Sequence, residues 1–144
     1  MSKSQIPSLP CMCATFRRTS RAITQLYEEA LRPTGLRATQ FTVLQTLTLA
    51  GEVTQRKLGQ ILAMDSTTLT RTLTVMSRHG WIAKRRGEDR REWRMHLSST
   101  GETEFKRALP YWQKAQKRLR RQLGDELSDD LIKLTQKVTN ALTD

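Results

Sequence analysis

Long apolar runs are absent from this sequence of 144 residues, in which apolar residues make up 37%. A helix that spans a bilayer needs about 18 or more consecutive apolar residues, so no such helix is predicted. The first residues also lack the basic flank and continuous apolar segment that are typical of a secretory signal. We therefore expect one domain that stays in the cytoplasm and that buries part of its apolar surface against a partner chain.

Cysteine and histidine are scarce, with two of each. Thiols in the cytoplasm stay reduced as a rule, so Cys11 and Cys13 are expected to be free. Tetrahedral zinc needs four ligands, and His79 and His96 belong to other predicted elements, so no metal site and no cofactor are predicted. A softer metal or arsenite needs fewer ligands, and that alternative stays open. No base lies beside the cysteines, with Glu28 the nearest acid in sequence, so no enzyme is predicted.

Acidic residues are also in short supply. Asp and Glu number 14 against 25 Lys and Arg, which gives a formal net charge of +11 and a pI near 10.5. Such an excess indicates a polyanionic partner, most often nucleic acid, with an anionic membrane surface as the rival. Residues 54–98 hold ten Lys and Arg against four Asp and Glu. We therefore place the polyanion site in the middle of the chain.

Apolar residues recur with helical spacing in six segments of the chain. The predicted helices run from Cys11 to Pro33, over about 39–49, from Thr54 to 62, from Asp65 or Ser66 to Gly80, over about 100–123, and from Ser128 onwards. The predicted N-caps are Thr54, Asp65 or Ser66, and Ser99. Pro110 lies inside the long helix and is expected to kink or locally unwind it.

The middle of the chain predicts a winged helix-turn-helix. Leu69, Leu73 and Met76 form one apolar stripe on a helix whose other face is polar. The short helix before it is expected to bury Leu58, Ile61 and Leu62, and a tight connection joins the two helices. The segment 81–97 then predicts two short strands around a charged, glycine-containing turn. This hairpin is the predicted wing.

The polar helix face and the basic hairpin have the chemistry of a DNA-reading surface. A helix fits the major groove, short hydroxyl side chains let its backbone approach the bases, and Arg71 has the reach for guanine. Surplus arginine at the hairpin tip suits phosphates or the minor groove, with Asp89 as the local partner that orients Arg91. The predicted DNA contacts are Thr54, Gln55, Ser66, Thr67, Thr68, Thr70, Arg71, Thr74, Arg78, Arg85, Arg86, Arg90 and Arg91. A solvated polar face and an ordinary charged turn are the alternatives.

The stretch DSTTLTRTLTVMSRHGWI resembles the recognition helix and first wing strand of the MarR family of bacterial transcriptional regulators. GEDRREWRMHLSSTG is similar to the family's wing, in which Asp89 and Arg91 match an Asp-x-Arg pair. GLRATQFTVL is similar to the family's second-helix segment. The resemblance implies a mainly α fold with a small β-hairpin wing, and a homodimer built from the N- and C-terminal helices.

The resemblance also implies a domain organisation and a function. Residues 1–10 are expected to be a flexible N-terminal arm, 11–36 and 100–144 a helical dimerisation region, and 37–99 the winged helix-turn-helix DNA-binding region. A two-fold dimer would bind a pseudo-palindromic operator in double-stranded DNA as a transcriptional repressor. A non-specific architectural nucleic-acid-binding protein is the alternative.

Release from DNA by a small aromatic ligand or by thiol oxidation is common in the family, which implies the same two inputs here. The candidate ligand pocket consists of Phe16, Tyr27, Phe41, Tyr111 and Trp112. The alternative is that these five aromatic residues belong to the core and to an interface.

Cys11 and Cys13 are the candidate sensor. They begin a predicted helix and have Arg17 and Arg18 nearby, so exposed amides and positive charge favour a reactive thiolate. Inside a helix the two side chains would point about 200° apart, so no resting disulfide is expected. The alternative is that two small side chains pack at a dimer interface.

Overall fold

A computed structural model provides the fold of the protein, and it describes residues 6–143. The helices are α1 (Met12–Leu31), α2 (Ala38–Ala50), α3 (Gln55–Leu62), α4 (Ser66–Arg78), α5 (Ser99–Leu123) and α6 (Asp125–Leu142). The strands are β1 (Val53–Thr54), β2 (Ile82–Arg86) and β3 (Trp93–Leu97), and a 3-10 turn (Arg32–Thr34) follows α1. The mainly α class with a small wing is confirmed.

The predicted flexible arm, residues 1–10, is described only in part, because residues 1–5 lie outside the described range. Residues 6–10 have no helix or strand, but they contact α1. Arg18 Nη1 donates to the carbonyl of Pro7 at 2.8 Å, and Thr15 Oγ1 donates to the carbonyl of Leu9 at 3.3 Å. These bonds fasten the described part of the arm to the first helix.

The sheet has three antiparallel strands in the order β1–β3–β2. The predicted hairpin is present, with Ile82 opposite Leu97 and Arg86 opposite Trp93. The third strand, β1, was not predicted, and it pairs Val53 with Met95. Two residues are too few for an alternating pattern to be visible in the sequence, so only the tertiary pairing reveals this strand.

Local hydrogen bonds explain where the helices of the middle region begin. Thr54 Oγ1 accepts from the amide of Lys57 at 3.1 Å, and Asp65 Oδ1 accepts from the amide of Thr68 at 2.8 Å. Thr54 is therefore confirmed as the N-cap of α3, and Asp65 rather than Ser66 caps α4.

Two predicted helix starts in the C-terminal half are wrong. Ser98, not Ser99, caps α5, because its Oγ accepts from the amide of Gly101 at 3.0 Å. The last helix begins at Asp125, three residues before the predicted Ser128, whose Oγ instead donates to the carbonyl of Gly124 at 2.6 Å. In both regions neighbouring polar residues compete for the cap, and sequence spacing alone does not rank them.

Pro110 does not interrupt α5, which is continuous from Ser99 to Leu123. The predicted local unwinding is therefore wrong. Ala108 and Ala115 are buried on the same helix, on either side of the proline. Packing of these flanking turns keeps α5 helical, although Pro110 itself supplies no backbone donor.

The core lies between α2, α4, α5 and the sheet. Leu69, Leu73 and Met76 are all buried, as their spacing predicts. Leu58 is also buried, whereas Ile61 is 47% exposed, so that part of the prediction for α3 is wrong. An eight-residue helix has room for only a narrow buried stripe, which Leu58 and the half-buried Leu62 occupy.

The start of α5 packs directly against the chain that enters the wing. A Cβ added at Gly101 would lie 2.1 Å from the carbonyl oxygen of Trp81. The same carbonyl accepts a hydrogen bond from the amide of Ser98 at 3.0 Å. Glycine at position 101 therefore permits a backbone-to-backbone contact that fixes the wing relative to α5.

Candidate nucleic-acid interface

The helix α4 presents a polar face to solvent because its apolar stripe is buried in the core. Most of the predicted DNA-contacting residues of this region lie on the exposed face. They are Ser66, Thr67, Thr68, Thr70, Arg71, Thr74 and Arg78. The N-terminal end of the face is fixed by Asp65, which also accepts from Thr68 Oγ1 at 2.8 Å. Hydrogen bonds from the Thr68 amide and hydroxyl hold the pKa of Asp65 below its ordinary value.

Three threonine hydroxyls of α4, those of Thr70, Thr72 and Thr74, donate their hydrogens to helix carbonyls. Thr70 Oγ1 donates to the carbonyl of Ser66 at 2.7 Å, and Thr74 Oγ1 donates to the carbonyl of Thr70 at 2.8 Å. Each hydroxyl oxygen keeps acceptor capacity, and each methyl group remains available for apolar contact. The face therefore offers acceptors and methyl groups from threonine, and donors from arginine.

The first residue of α3 contacts the middle of α4. Gln55 Nε2 donates to Thr70 Oγ1 at 3.1 Å, which joins two of the predicted DNA contacts directly. Thr54 is partly buried because its hydroxyl caps α3. The structure thus brings Thr54, Gln55 and the α4 face into one helix-turn-helix unit.

Asp89 orients the tip of the wing through the backbone. Its Oδ1 accepts from the amide of Arg91 at 3.0 Å, and its carbonyl accepts from the amide of Glu92 at 2.9 Å. The amide of Gly87 donates to the carbonyl of Glu92 at 3.0 Å and closes the turn. The predicted partnership of Asp89 with Arg91 is present, but the bonded group is the amide of Arg91.

The predicted wing arginines have different surroundings. Arg86 Cζ lies 4.5 Å from the centroid of the Trp93 ring, and its guanidinium donates to the carbonyl of Arg90. Arg90 and Arg91 are exposed at the tip. Arg86 is therefore held against the hairpin by a cation–π contact, while the two tip residues present their side chains to solvent.

At the base of the wing, Arg85 forms an ion pair with Glu52, a residue that was not predicted from the sequence. Arg85 Nε donates to Glu52 Oε2 at 3.1 Å, and Arg94 Nε donates to Glu52 Oε1 at 2.8 Å. His96 Nδ1 lies 3.7 Å from Glu52 Oε2. Hydrogen bonds from Arg85 and then Arg94 hold the pKa of Glu52 below its ordinary value.

Glu52 therefore joins all three strands, because it precedes β1 and bonds side chains of β2 and β3. The only sequence signal for this role is an acidic residue within a basic region. Its partners lie 33 and 42 residues further along the chain, so local spacing does not reveal them. Arg85, a predicted DNA contact, is in this structure an ion-pair partner within the wing.

Cys11 and Cys13 are exposed free thiols. Cys11 is the N-cap of α1, in an extended conformation with φ −90° and ψ 119°, and its Sγ accepts from the amide of Ala14 at 3.5 Å. Both cysteines line the same cavity of about 470 Å³. The separation of about 200° assumed that both residues are helical, so it does not apply to Cys11, which stands before the first residue of α1.

The five candidate pocket residues lie in two separate places. Phe16 and Tyr27 line a largely apolar cavity of about 640 Å³ between α1, α5 and α6. Phe41 is buried in the core, where its ring stacks on Trp112 with 5.7 Å between centroids. Tyr111 packs against the same core. Burial raises the pKa of Tyr27, whose hydroxyl contacts Gln116.

Within residues 6–143, no group of three or more His, Cys, Asp and Glu side chains is placed to hold a metal ion. None of the helices in that range combines the length and apolar character needed to cross a membrane.

The fold and the surface features define a class of protein. A capped helix pair, an exposed polar second helix and a basic hairpin that packs behind it are the parts of a winged helix-turn-helix. Comparison with known proteins identifies a family within this class. Residues 36–93 match the model of the MarR family.

Two relatives share about a third of their residues with this chain. It is 34% identical to the transcriptional regulator MosR of M. tuberculosis, solved in complex with DNA, over 92% of this chain and 98% of that one, with a TM-score of 0.79. It is 33% identical over 88 residues to YwoH of Bacillus subtilis, an uncharacterized HTH-type transcriptional regulator. That match covers 61% of this chain and 64% of YwoH. The chain belongs to the MarR family of winged-helix transcriptional regulators.

A more distant structure supports the fold alone. A mutant form of MarR from E. coli, solved in complex with operator DNA, is 24% identical and has a TM-score of 0.78. The alignment covers 88% of this chain and 92% of the MarR chain. The helix order and the wing are thus the same over nearly the whole described range.

Proposed function

We propose that the protein is a homodimeric, sequence-specific DNA-binding regulator in the cytoplasm that acts as a repressor. The observation that carries the proposal is the exposed Ser/Thr/Arg face of α4, on a helix whose opposite side is packed in the core. A polar surface supported by a rigid core can enter the major groove without reorganisation. The binding of MosR to DNA in a similar fold supports the same role for this chain.

Each part of the surface has a distinct proposed role. Arg71 reads guanine from the middle of α4, since its guanidinium matches the two acceptors of that base. Thr54 and Gln55 at the start of α3 contact phosphates, and so do Arg90 and Arg91 of the wing tip, which also have access to the minor groove.

The dimer is proposed from uncovered apolar surface at the terminal helices. Several large apolar residues of α6 are more than 40% exposed: Leu127, Ile132, Leu134, Val138 and Leu142. Met12 and Phe16 of α1 are similarly exposed. So many exposed large apolar residues on the terminal helices are unusual on a monomer, and a second copy would cover them with two-fold symmetry. The DNA-binding regions of the two protomers would then match the two halves of a pseudo-palindromic operator.

The test is binding to the DNA upstream of the protein's own gene, measured by fluorescence anisotropy against a scrambled duplex of equal length and composition. We expect the upstream DNA to bind at least about a hundredfold more tightly. Arg71→Ala should lose about 1–3 kcal/mol of binding free energy on the specific duplex, because one bidentate base contact is removed. Equal affinity for both duplexes would contradict the proposal.

The same titration distinguishes the alternative, a non-specific architectural protein. Phosphate contacts alone give an affinity that falls steeply with salt and is equal for all sequences. A specific regulator still binds its operator more tightly than other DNA at salt concentrations that abolish sequence-independent binding to phosphates.

Thiol oxidation is the proposed input to the regulator. Cys11 and Cys13 are exposed and line one cavity, so one can be oxidised while the other lies close to it. Both lie at the start of α1, a helix of the proposed dimer interface. Modification there would change the spacing of the two DNA-binding regions of the dimer. Both regions must contact the operator at the same time, so a change in spacing weakens binding. We expect peroxide to release wild-type protein from DNA, and Cys11→Ser or Cys13→Ser to prevent release.

A small aromatic effector is the second proposed input, favoured by the apolar cavity between α1, α5 and α6. Its volume suits a ligand of drug size, and Tyr27 supplies a polar group at its wall. Titration with phenolic acids tests this input separately. Release by a phenolic acid in the Cys11→Ser variant would assign the effect to the cavity rather than to the thiols.

A further inference from the structure

A basic cavity surrounds the two cysteines at the start of α1. Its walls include Leu9, Cys11, Cys13, Arg17, Arg18 and Arg21, and its volume is about 470 Å³. The three arginines follow from helical spacing, since residues 17 and 21 stand one and two turns after Cys13. Cys11 joins them because it stands outside the helix as the N-cap.

The described part of the arm forms one wall of this cavity. Leu9 lines it directly, and the bond from Arg18 to the carbonyl of Pro7 holds this segment against the helix. The thiols therefore lie at a shallow recess that three arginines line, although its accessible wall is largely apolar. Both sulfurs are exposed beside these arginines, so a reactant meets the positive charge as it approaches either thiol.

The recess is cationic without a compensating acid. None of its lining residues is acidic, and within residues 6–143 neither Arg17 nor Arg21 forms an ion pair with a carboxylate. The nearest acidic residues of α1, Glu28 and Glu29, lie about two helical turns beyond Arg21. A cluster of like charges in a recess concentrates small anions, and guanidinium groups bind carboxylates well.

We propose that this cavity selects anionic thiol-reactive molecules, and in particular carboxylate-bearing disulfides of small thiols, as the reactants of Cys11 and Cys13. The inference rests on the proposed thiol input and names its reactant class. A cysteine thiolate attacks one sulfur of the disulfide, forms a mixed disulfide with it and expels the other half as a thiolate. The protein sulfur is oxidised, the expelled sulfur is reduced, and the attached half keeps its carboxylate among the arginines.

The test compares two disulfides of different charge on the full chain: anionic dithionitrobenzoate and neutral dithiodipyridine. Release of the coloured thiol gives the rate for each reagent at low ionic strength. The neutral reagent reports the reactivity and access of the thiols, so the ratio of anionic to neutral rates isolates charge selection. We expect this ratio to fall about tenfold when Arg17→Gln and Arg21→Gln are combined, and to fall similarly at high salt.

A matched control removes two positive charges elsewhere. Arg121→Gln combined with Lys133→Gln has the same net charge as the test variant, but neither residue lines the cavity. We expect the control to keep the wild-type ratio. An unchanged ratio in the test variant would overturn the inference. So would an equal fall in both rates, because the arginines would then act on the thiols and not on the reactant.

The DNA-binding measurement separates this inference from the proposed function. If the anionic disulfide reacts preferentially but its adduct does not change operator binding, the proposal of a thiol input is contradicted. The selectivity of the cavity for anions would still stand. If oxidants release the protein from the operator but anionic reagents react no faster than neutral ones, the thiol input stands and the proposed selectivity is contradicted.

Discussion

Ala63 ends α3 in the left-handed region of backbone conformation, with φ 51° and ψ 42°. Among the described non-glycine residues it alone has a positive φ. An L-residue with a Cβ is disfavoured in this region by about 1–2 kcal/mol, whereas glycine is not. The turn between α3 and α4 therefore contains a local strain that the packing of both helices maintains.

Ala63→Gly should raise the free energy of unfolding by about 0.5 kcal/mol, since relief of the strain exceeds the entropy gained by the unfolded chain. Urea denaturation monitored by circular dichroism measures the change. Ala22→Gly, the same replacement in the exposed middle of α1, is the control and should lose about 1 kcal/mol. A loss of stability at both positions would contradict the assignment of strain to Ala63.

Gly101→Ala should lower the free energy of unfolding by about 3 kcal/mol, because the new methyl group would overlap the carbonyl oxygen of Trp81. Backbone atoms on both sides have little freedom to move. Urea denaturation measures the loss. Thr103→Ala, an exposed position on the same helix, should stay within about 0.5 kcal/mol of wild type. Equal effects in the two variants would mean that the close contact at Gly101 is not rigid.

At the scale of elements, Glu52 is the residue that fixes the wing. Its carboxylate joins Arg85 of β2 and Arg94 of β3 to the segment before β1. Because its pKa is lowered in the folded state, the stabilisation is fully present above the ordinary carboxyl pKa. It is lost as the pH falls through the lowered pKa.

Glu52→Gln should therefore reduce the thermal stability near neutral pH and weaken its dependence on pH in the acid range. Thermal unfolding between neutral and acid pH measures both effects. The control is Glu126→Gln, an exposed acidic residue of α6, which should follow the wild-type pH dependence. The variant should also bind scrambled DNA more tightly, because Arg85 and Arg94 lose their internal partner and become available to phosphates.

At the scale of the whole molecule, the proposed dimer rests on the exposed apolar residues of α6. Leu134 is 59% exposed near the middle of that helix. Leu134→Asp should raise the dissociation constant of the proposed dimer about thirtyfold or more, because a buried leucine contributes about 2 kcal/mol. Analytical ultracentrifugation measures the change, and Asn140→Asp, at an exposed position on another face of α6, is the control. A dimer of unchanged stability in the leucine variant would place the interface elsewhere.

Sequence reasoning found the features that depend on local spacing. The six helices, the buried stripe of α4 and the caps at Thr54 and Asp65 all follow from patterns within one or two turns. The features it missed depend on contacts between distant segments, namely strand β1, the ion pairs of Glu52 and the close approach at Gly101. The separation assumed for Cys11 and Cys13 does not apply because a shift of one residue in the helix start removes Cys11 from the helical geometry.

The hydrogen-bonding state of the α4 threonines has a consequence for the sequence composition of the proposed operator. Thr70 and Thr74 give their hydrogens to helix carbonyls, and Thr70 also accepts from Gln55. Each oxygen keeps at least one free lone pair, so both suit the amino groups of adenine and cytosine, and their methyl groups suit thymine. Arg71 suits guanine. Selection from a random duplex pool should therefore enrich half-sites of mixed composition with one dominant G·C pair, and Arg71→Ala should abolish that single preference. Enrichment of uniform A/T tracts would instead assign recognition to groove shape.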